Sequence, residues 1–358
     1  MSQIIRTLIE AGCRQADPGE YTRRAFINGK MDLSQAEAVA DLIAATGKAS
    51  HDMALGQLRG NISSELSRLR DQLLKMTSLM ELELDFSDHE ELEFADRTEL
   101  TLLAHTIHDR ITSLASSFRT GQAIKQGIPV AIIGKTNVGK STLLNRLVGE
   151  EKAIVSDIHG TTRDIIEDTI DIHGVTFRFV DTAGLRTTDD VIEQIGIERS
   201  YSALSKAAIV LWVIDTPPSE EELTDITSRC KDKQVILVIN KTDKLPAIPL
   251  SIPFSTLSIS ALNGTGINEL TDAIYAKSGI PEIGENDAII TSARHYASLQ
   301  QALESITRVL DGLEMNIPND LLSEDLRQCL DALADITGGI ITPSEVLNNI
   351  FSHFCIGK

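Results

Sequence analysis

Residues 134–141 carry the most chemically informative spacing in the chain, G-x-x-x-x-G-K-S. The backbone N–H groups of such a glycine-rich loop surround a phosphate, and the N-terminus of the following helix adds partial positive charge. In this arrangement Lys140 reaches the β- and γ-phosphates, and Ser141 ligates Mg²⁺ through its hydroxyl oxygen. An apolar run at 128–133 and a helical run at 142–147 flank the loop, which favours a phosphate site over a chance glycine-rich turn. The residues predicted to contact the nucleotide here are Asn137, Val138, Gly139, Lys140, Ser141 and Thr142.

A second motif, Asn240-Lys241-Thr242-Asp243, indicates which base the nucleotide carries. A carboxylate at Asp243 can accept two hydrogen bonds from guanine, one from its ring N–H and one from its amine, whereas adenine offers no such pair of donors. The amide of Asn240 and the stem of Lys241 would support the base. Ser260 and Ala261, after the next apolar run, would supply a backbone contact to the guanine carbonyl. The expected ligands are therefore GTP and GDP.

A third motif, from Asp181 to Gly184, has the D-x-x-G spacing of a GTPase and follows an apolar run at 176–180. Asp181 would hold Mg²⁺ through water, and the Gly184 amide would sense the γ-phosphate. Thr161 and Thr162 lie between the phosphate loop and this motif. Of the two, Thr162 is the better candidate to close on Mg²⁺ when the third phosphate is present.

Leu185 follows Gly184 at the position where many GTPases carry a glutamine that orients the attacking water. Leucine cannot perform that role, so either hydrolysis is very slow or another group positions the water. The acidic candidates downstream are Asp189, Asp190 and Glu193. The residues alone do not choose among them.

The elements that must position these motifs alternate between apolar runs and helical patterns. Strands are predicted at 128–133, 176–180, 209–214, 235–239 and 256–259. Apolar residues recur at helical spacing at 51–84, 97–120, 295–313 and 321–336, and Ser34 with Glu37 suggests a capping box for an earlier helix. The pattern predicts an α/β P-loop GTPase domain with a mainly parallel, doubly wound sheet, inserted into an α-helical bundle domain. The predicted boundaries give a short N-terminal piece at 1–31, the first part of the helical domain at 32–122, the GTP-binding domain at 123–280 and the second part of the helical domain at 281–358.

Composition limits where the protein works and what it binds. The net charge of −19 opposes non-specific binding to nucleic acid, so any RNA contact needs a local basic patch or a second protein. The four cysteines have no metal-ligand spacing, and reduced thiols in a cytoplasmic protein are expected. No apolar stretch reaches the length of a membrane span, and no signal-peptide pattern opens the chain, so no membrane association is expected.

Together these residues resemble the tRNA modification GTPase family MnmE, also called TrmE. Five stretches carry the resemblance, namely 14–30, 32–39, 181–186, 195–199 and the terminal Phe-Cys-Ile-Gly-Lys at 354–358. Residues 1–31 look like the end of the family's N-terminal domain. That domain binds a folate one-carbon donor and forms a constitutive dimer. The resemblance assigns no folate contact to any residue of this chain.

The resemblance also implies roles that the residues alone leave open. Glu193 would be the general base acting through water, with Lys140 and Thr162 completing the catalytic group. K⁺ would take the place of an arginine finger, as a cation that offsets charge developing during phosphoryl transfer. Its implied ligands are Asn137, Ile154, Ser156 and Thr161, and those of Mg²⁺ are Ser141, Thr162 and Asp181.

The family further implies partners and a product. Two GTP-binding domains would meet face to face in a homodimer and complete the K⁺ site. A flavin-dependent protein of the MnmG/GidA type would act with the chain to install a carboxymethylaminomethyl-type group at C5 of the wobble uridine of tRNA. Cys355 would be a functional thiol, although its own chemistry favours a buried thiol near a C-terminus.

Two other functions fit the nucleotide motifs. A ribosome-assembly GTPase that binds RNA directly would share them, but it would carry a basic appended domain, whereas this chain has helical flanks and a charge of −19. A switch module that binds GTP and hydrolyses it slowly fits Leu185 if Glu193 is idle.

Overall fold

The structure is a computed structural model that describes residues 2–85, 97–150, 168–180, 204–244, 253–281, 284 and 287–339. These residues belong to two compact units. The helical unit comprises the described parts of Met1–Ala45, His51–Gln122 and Gly284–Lys358, and the α/β unit comprises those of Thr46–Ser50 and Ala123–Ile283. No described helix is both long and apolar enough to cross a bilayer.

The described helices, numbered in chain order, are α1 Ser2–Glu10, α2 Glu20–Ile27, α3 Leu33–Ala44, α4 Lys48–Leu58, α5 Asn61–Asp85, α6 Arg97–Gln126, α7 Lys140–Glu150, α8 Glu220–Arg229, α9 Ile267–Ser278, α10 Ala293–Glu314 and α11 Asn319–Thr337. The core of the helical unit is formed by apolar stripes on four of them, α5, α6, α10 and α11. On α5, for example, Leu66, Leu69, Leu73 and Met76 recur at steps of three and four and are buried. Such a stripe lies on one face of a helix and turns inward.

The apolar stripe predicted at 51–84 as one helix is divided in the structure. Gly60, with φ 95°, separates α4 from α5. A glycine in the left-handed region commonly ends a helix, because it avoids the Cβ clash that other residues suffer there. The apolar periodicity continues across Gly60, so the sequence pattern gave no sign of the break.

The residue that caps the N-terminus of α3 also differs from the prediction. Asp32, not Ser34, caps the helix: the Gln35 N–H donates to Asp32 Oδ1 at 2.9 Å, and the Gln35 side chain accepts from the Asp32 N–H at 3.0 Å. Asp-x-x-Gln satisfies the same geometry as Ser-x-x-Glu. Glu37 is consequently available for another contact, and it pairs with Arg294 and His295.

The α/β unit contains a six-stranded sheet with the order β2-β3-β1-β4-β5-β6. The strands are β1 Ile128–Ile133, β2 Asp168–Ile172, β3 Val175–Phe179, β4 Ile209–Ile214, β5 Gln234–Ile239 and β6 Ser255–Ser258. All neighbouring pairs are parallel except β2 and β3. Alternate residues of β1 point to opposite faces, so Val130 and Ile132 join one core, and Ala131 and Ile133 join the other. Both faces are therefore covered, as in doubly wound sheets.

Strand β2 is absent from the sequence-based prediction. It alternates buried and half-buried residues and joins β3 through His173 and Gly174, whose φ values are 54° and 84°. Two left-handed residues make the tight turn that suits a two-residue hairpin. The short polar alternation of Asp-Thr-Ile-Asp-Ile gives a weaker signal than the apolar runs of the parallel strands.

The segment Thr46–Ser50 belongs to the α/β unit, although the sequence pattern placed it within the helical domain. The Ala49 N–H donates to the Gly174 carbonyl at 2.8 Å, beside the β2–β3 turn. The hydroxyls of Thr46 and Thr176 lie 3.2 Å apart.

Candidate nucleotide-binding site

The sheet brings the first two nucleotide motifs together at one edge. Strands β1, β4, β5 and β6 are parallel, so the residues that follow them emerge on the same side. The phosphate loop follows β1, Asn240 follows β5, and Ser260 lies just beyond β6. In open α/β sheets this carboxyl edge is where ligands bind.

The phosphate loop lies between β1 and α7, and three of its residues have positive φ: Gly134 at 146°, Asn137 at 62° and Gly139 at 98°. Gly139 is also crowded, because a Cβ atom there would lie 2.3 Å from Asn240 Nδ2. Its carbonyl accepts from the Leu143 N–H at 2.9 Å, which starts α7. The loop therefore ends at a helix N-terminus, the arrangement that binds anions.

Lys140 supplies positive charge within this loop. Its Nζ donates to the carbonyls of Gly134 and Lys135 at 2.7 and 2.6 Å. Burial lowers the pKa of the ammonium from its ordinary value. A half-buried cation beside backbone donors is the electrostatic environment that a polyphosphate requires.

Asn240 connects the phosphate loop to the loop after β6. Its side chain is buried, Nδ2 donates to the Val138 carbonyl at 2.8 Å, and Oδ1 accepts from the Ala261 N–H at 3.0 Å. The asparagine thus supports the site through the protein's own backbone. The Ala261 N–H, predicted to contact the guanine carbonyl, lies against Asn240 in this structure.

Asp243 stands at the exposed end of the same motif. Its Oδ1 accepts from the Ser260 hydroxyl at 2.7 Å, and this hydrogen bond is the main cause that lowers the pKa of the carboxyl group. The hydrogen bond thus favours the carboxylate, the form that can accept two donors from a base. Ser260 acts here through its side chain, whereas the sequence suggested a backbone role.

Lys241 reaches from this motif to the phosphate loop. Its Nζ donates to the Asn137 carbonyl and to Asp215 Oδ2, both at 2.7 Å. Asp215, the residue after β4, is absent from the sequence-based site. A polar residue following a buried strand of a parallel sheet is the same signal that identified Asn240, and it could have found Asp215.

Glu222 is a further residue that sequence reasoning missed. Its Oε1 lies 2.7 Å from Lys135 Nζ, and it forms the capping box of α8 with Ser219. Burial raises the pKa of Glu222, but the hydrogen bonds from Lys135 and from the Ser219 N–H outweigh it and leave the pKa lowered.

The remaining predicted site residues lie outside the described part of the chain. They are Ile154, Ser156, Thr161, Thr162, Asp181, Gly184, Glu193 and Cys355. Of the predicted Mg²⁺ ligands the structure places Ser141, in the first turn of α7 beside Lys140, and of the K⁺ ligands it places Asn137. A hydroxyl oxygen next to a phosphate cradle is a hard donor that suits Mg²⁺. No group of three or more His, Cys, Asp or Glu side chains able to hold a metal occurs in the described ranges.

Comparison with known proteins identifies the family. The tRNA modification GTPase MnmE of Phocaeicola vulgatus is 56% identical over 371 residues, covering 100% of this chain and 74% of the relative. That of Parabacteroides distasonis is 56% identical over 366 residues, covering 99% and 79%. The chain belongs to the MnmE family. The family model for the MnmE helical domain matches residues 33–355.

Membership of the MnmE family confirms the resemblance drawn from the motifs. The predicted fold class is also confirmed: the α/β unit is a P-loop GTPase domain with a mainly parallel sheet, accompanied by helices before and after it in the chain. Among solved structures, the FeoB G-domain from Methanococcus jannaschii is 27% identical, covering 42% of this chain and 96% of that one, with a TM-score of 0.31.

Proposed function

We propose that this chain binds and hydrolyses GTP to drive modification of tRNA. The observation that carries the proposal is the Asn240 bridge, in which one buried side chain joins the phosphate loop at Val138 to the guanine-side loop at Ala261. Because of this bridge, a cradle for phosphates and an ionised acceptor for guanine form one site. The curated relatives are named tRNA modification GTPases.

Within this proposal, different residues bind the phosphates, the metal ion and the base. The loop backbone, Lys140 and the helix N-terminus would bind the phosphates. Ser141 would ligate Mg²⁺ with two residues outside the described ranges, Thr162 directly and Asp181 through water. Asp243 would select guanine, and Asn240 and Lys241 would support the base. A bound Mg²⁺ would offset the charge that develops on the phosphates during hydrolysis.

Leu185 cannot orient water. Of the acids that follow it, we assign that role to Glu193, because the resemblance to the MnmE family implies it. We also assign K⁺ to Asn137, with Ile154, Ser156 and Thr161, and expect the site to be completed when two GTP-binding domains meet. K⁺ would replace the charge of an arginine finger. This proposal predicts faster hydrolysis in potassium than in sodium, and faster hydrolysis at chain concentrations that favour dimers.

The product of the complex would be a carboxymethylaminomethyl-type group on the wobble uridine of tRNA, made in the cytoplasm with a flavin-dependent partner of the MnmG/GidA type. The net charge of −19 is consistent with this division of labour, because it opposes non-specific binding to RNA phosphates. We further propose that residues 1–31 are the end of the folate-binding and dimerisation domain. The family implies a folate one-carbon donor, but we assign none of its contacts to this chain. It also implies a functional thiol at Cys355, although the chemistry of that residue favours a buried structural thiol.

Guanine recognition is tested by Asp243→Asn. Replacing the carboxylate with an amide removes one acceptor and introduces a donor, so GDP should bind at least about a hundredfold more weakly, at ~1.4 kcal/mol per tenfold. Xanthosine diphosphate, which presents a carbonyl where guanine has its amine, should bind better to the variant than to the wild type. Asp232→Asn is the matched control, since Asp232 is an exposed acid of the same unit.

A measurement of GTP hydrolysis distinguishes an enzyme from a switch module that hydrolyses GTP slowly. GTP turnover is measured in potassium and in sodium for the wild type and Glu193→Ala. An enzyme shows stimulation by potassium and loss of turnover in the variant. A switch module binds GDP equally tightly but shows neither effect, and that result would refute the catalytic part of the proposal.

A further inference from the structure

A series of contacts among three residues crosses the carboxyl edge of the sheet and reaches the predicted nucleotide site at Lys241 and Asn137. Asp215 follows β4, and Lys241 lies just after β5, the neighbouring strand whose Ile239 is in register with Ile214. Lys241 Nζ donates to Asp215 Oδ2 on one side and to the Asn137 carbonyl on the other, both at 2.7 Å. The ammonium thus joins an acid at the strand end to the phosphate loop.

Two of the three residues in this series of contacts have an unfavourable backbone conformation. The described non-glycine residues with positive φ are Asn137, His173, Lys241 and Asn316. Asn137 has φ 62° and Lys241 has φ 64°, and these two are bonded to each other. Strained residues persist only where surrounding contacts hold them, and they concentrate at functional sites.

The Lys241–Asp215 pair is partly shielded from water, with side chains 35% and 25% exposed. A charge-assisted hydrogen bond in such a setting is stronger than the same pair on an open surface. The carboxylate therefore fixes the direction of the ammonium, which in turn fixes the Asn137 carbonyl.

We propose that Asp215 is a positioning residue for nucleotide binding, which acts through Lys241 to hold Asn137 in its left-handed conformation. This inference rests on the proposed function, because it takes the loop at Asn137 to bind the phosphates of GDP and GTP. Without Asp215, Lys241 loses its directional partner and Asn137 relaxes toward ordinary backbone angles. The loop N–H groups then no longer converge on the phosphates.

The test measures release of GDP carrying an N-methylanthraniloyl fluorophore, chased with unlabelled GDP, in the full chain. Asp215→Ala should release the nucleotide about 10- to 100-fold faster, the range expected for a charged hydrogen bond. Asp215→Asn should show a smaller effect, because its amide oxygen still accepts from Lys241. Asp232→Ala, which removes an exposed acid of the same unit, should release GDP within about twofold of the wild type.

A double-mutant cycle separates positioning through Lys241 from a general loss of structure. Lys241→Met should itself accelerate release. Adding Asp215→Ala to Lys241→Met should change the rate by less than about twofold, because the residue through which Asp215 acts is already gone. Any further acceleration of more than about twofold would show that Asp215 acts in another way and would overturn the inference.

The possible failures are distinguishable. If the wild type does not bind labelled GDP, the proposed function fails. If the wild type binds GDP and Asp215→Ala releases it less than about 10-fold faster than the wild type, Asp215 forms only an ordinary surface ion pair and the inference alone fails. Should Asp215→Ala not fold, as judged by the fluorescence of Trp212 on β4, the same cycle built with Asp215→Asn separates these outcomes.

Discussion

Replacing Gly139 with alanine should separate the phosphate loop from the guanine-side loop. Gly139 has φ 98°, and a Cβ atom built there lies 2.3 Å from Asn240 Nδ2. Asn240 cannot move away freely, since it is 3% exposed and bonded to both Val138 and Ala261. The added methyl group must therefore displace either the loop backbone or the asparagine.

The size of the effect follows from these contacts. A left-handed conformation costs a residue with a Cβ about 1–2 kcal/mol. Loss of the two Asn240 hydrogen bonds costs about 1 kcal/mol each. At the lower end of the backbone cost the total is about 3 kcal/mol, which appears as a lower free energy of unfolding if the loop keeps its conformation. If the loop instead relieves the clash by leaving the conformation that binds GDP, GDP binding must supply this free energy to restore that conformation. GDP then binds roughly a hundredfold more weakly.

The assay uses Trp212, the single tryptophan of the chain, which is buried on β4 of the α/β unit. Urea unfolding followed by its fluorescence reports on this unit, and GDP affinity is measured on the same samples. Gly149→Ala is the matched control: it makes the same substitution in α7, where no atom of the described residues lies within 4 Å of the added Cβ. Because alanine favours a helix over glycine, this control should gain about 0.5–1 kcal/mol.

The two measurements on Gly139→Ala should sum to about 3 kcal/mol, estimated from the strain and hydrogen-bond costs. If both stability and GDP affinity match those of the wild type, the Asn240 bridge does not constrain the loop and the reasoning is refuted. A loss of equal size in Gly149→Ala would assign the effect to α7 and not to the bridge.

Two further predictions concern ionised groups. Ser260→Ala removes the hydrogen bond that lowers the pKa of Asp243, so the pKa rises toward its ordinary value. Binding that needs the carboxylate is present above this pKa and lost below it. As the pH falls through the acid range in which aspartate carboxyl groups titrate, roughly pH 5 to 3, the variant should lose GDP affinity at a higher pH than the wild type; superimposable profiles would contradict this. In the helical unit, Glu37→Ala removes the nearer carboxylate of the largely buried Arg294, at 2.9 Å, and leaves Asp335 at 3.7 Å; it should cost about 2 kcal/mol, measured by urea unfolding with circular dichroism. Exposed Glu304→Ala should stay within about 0.5 kcal/mol of the wild type, and equal losses in the two variants would argue against a special role for the pair.

Much of the fold could be predicted because its signals are local. The apolar runs of β1, β4 and β5 are nearly continuous, since both faces of the sheet are covered, and each appears within a residue of its predicted bounds. Strand β2 was missed because a short polar alternation resembles a loop. The break at Gly60 was missed because the apolar stripe runs across it.

By itself the sequence determined the chemistry available to this protein. The spacing of the phosphate loop and of Asn240 to Asp243 depends on consecutive residues, so it indicated a guanine-nucleotide site and a family without any coordinates. Only the tertiary structure decided how those motifs support one another. Asn240 contacts Val138 across 102 positions, and Lys241 contacts Asn137 and Asp215 across 104 and 26. Such partners are set by which strands lie side by side and where their ends emerge, and this arrangement forms only when the sheet packs between its two cores.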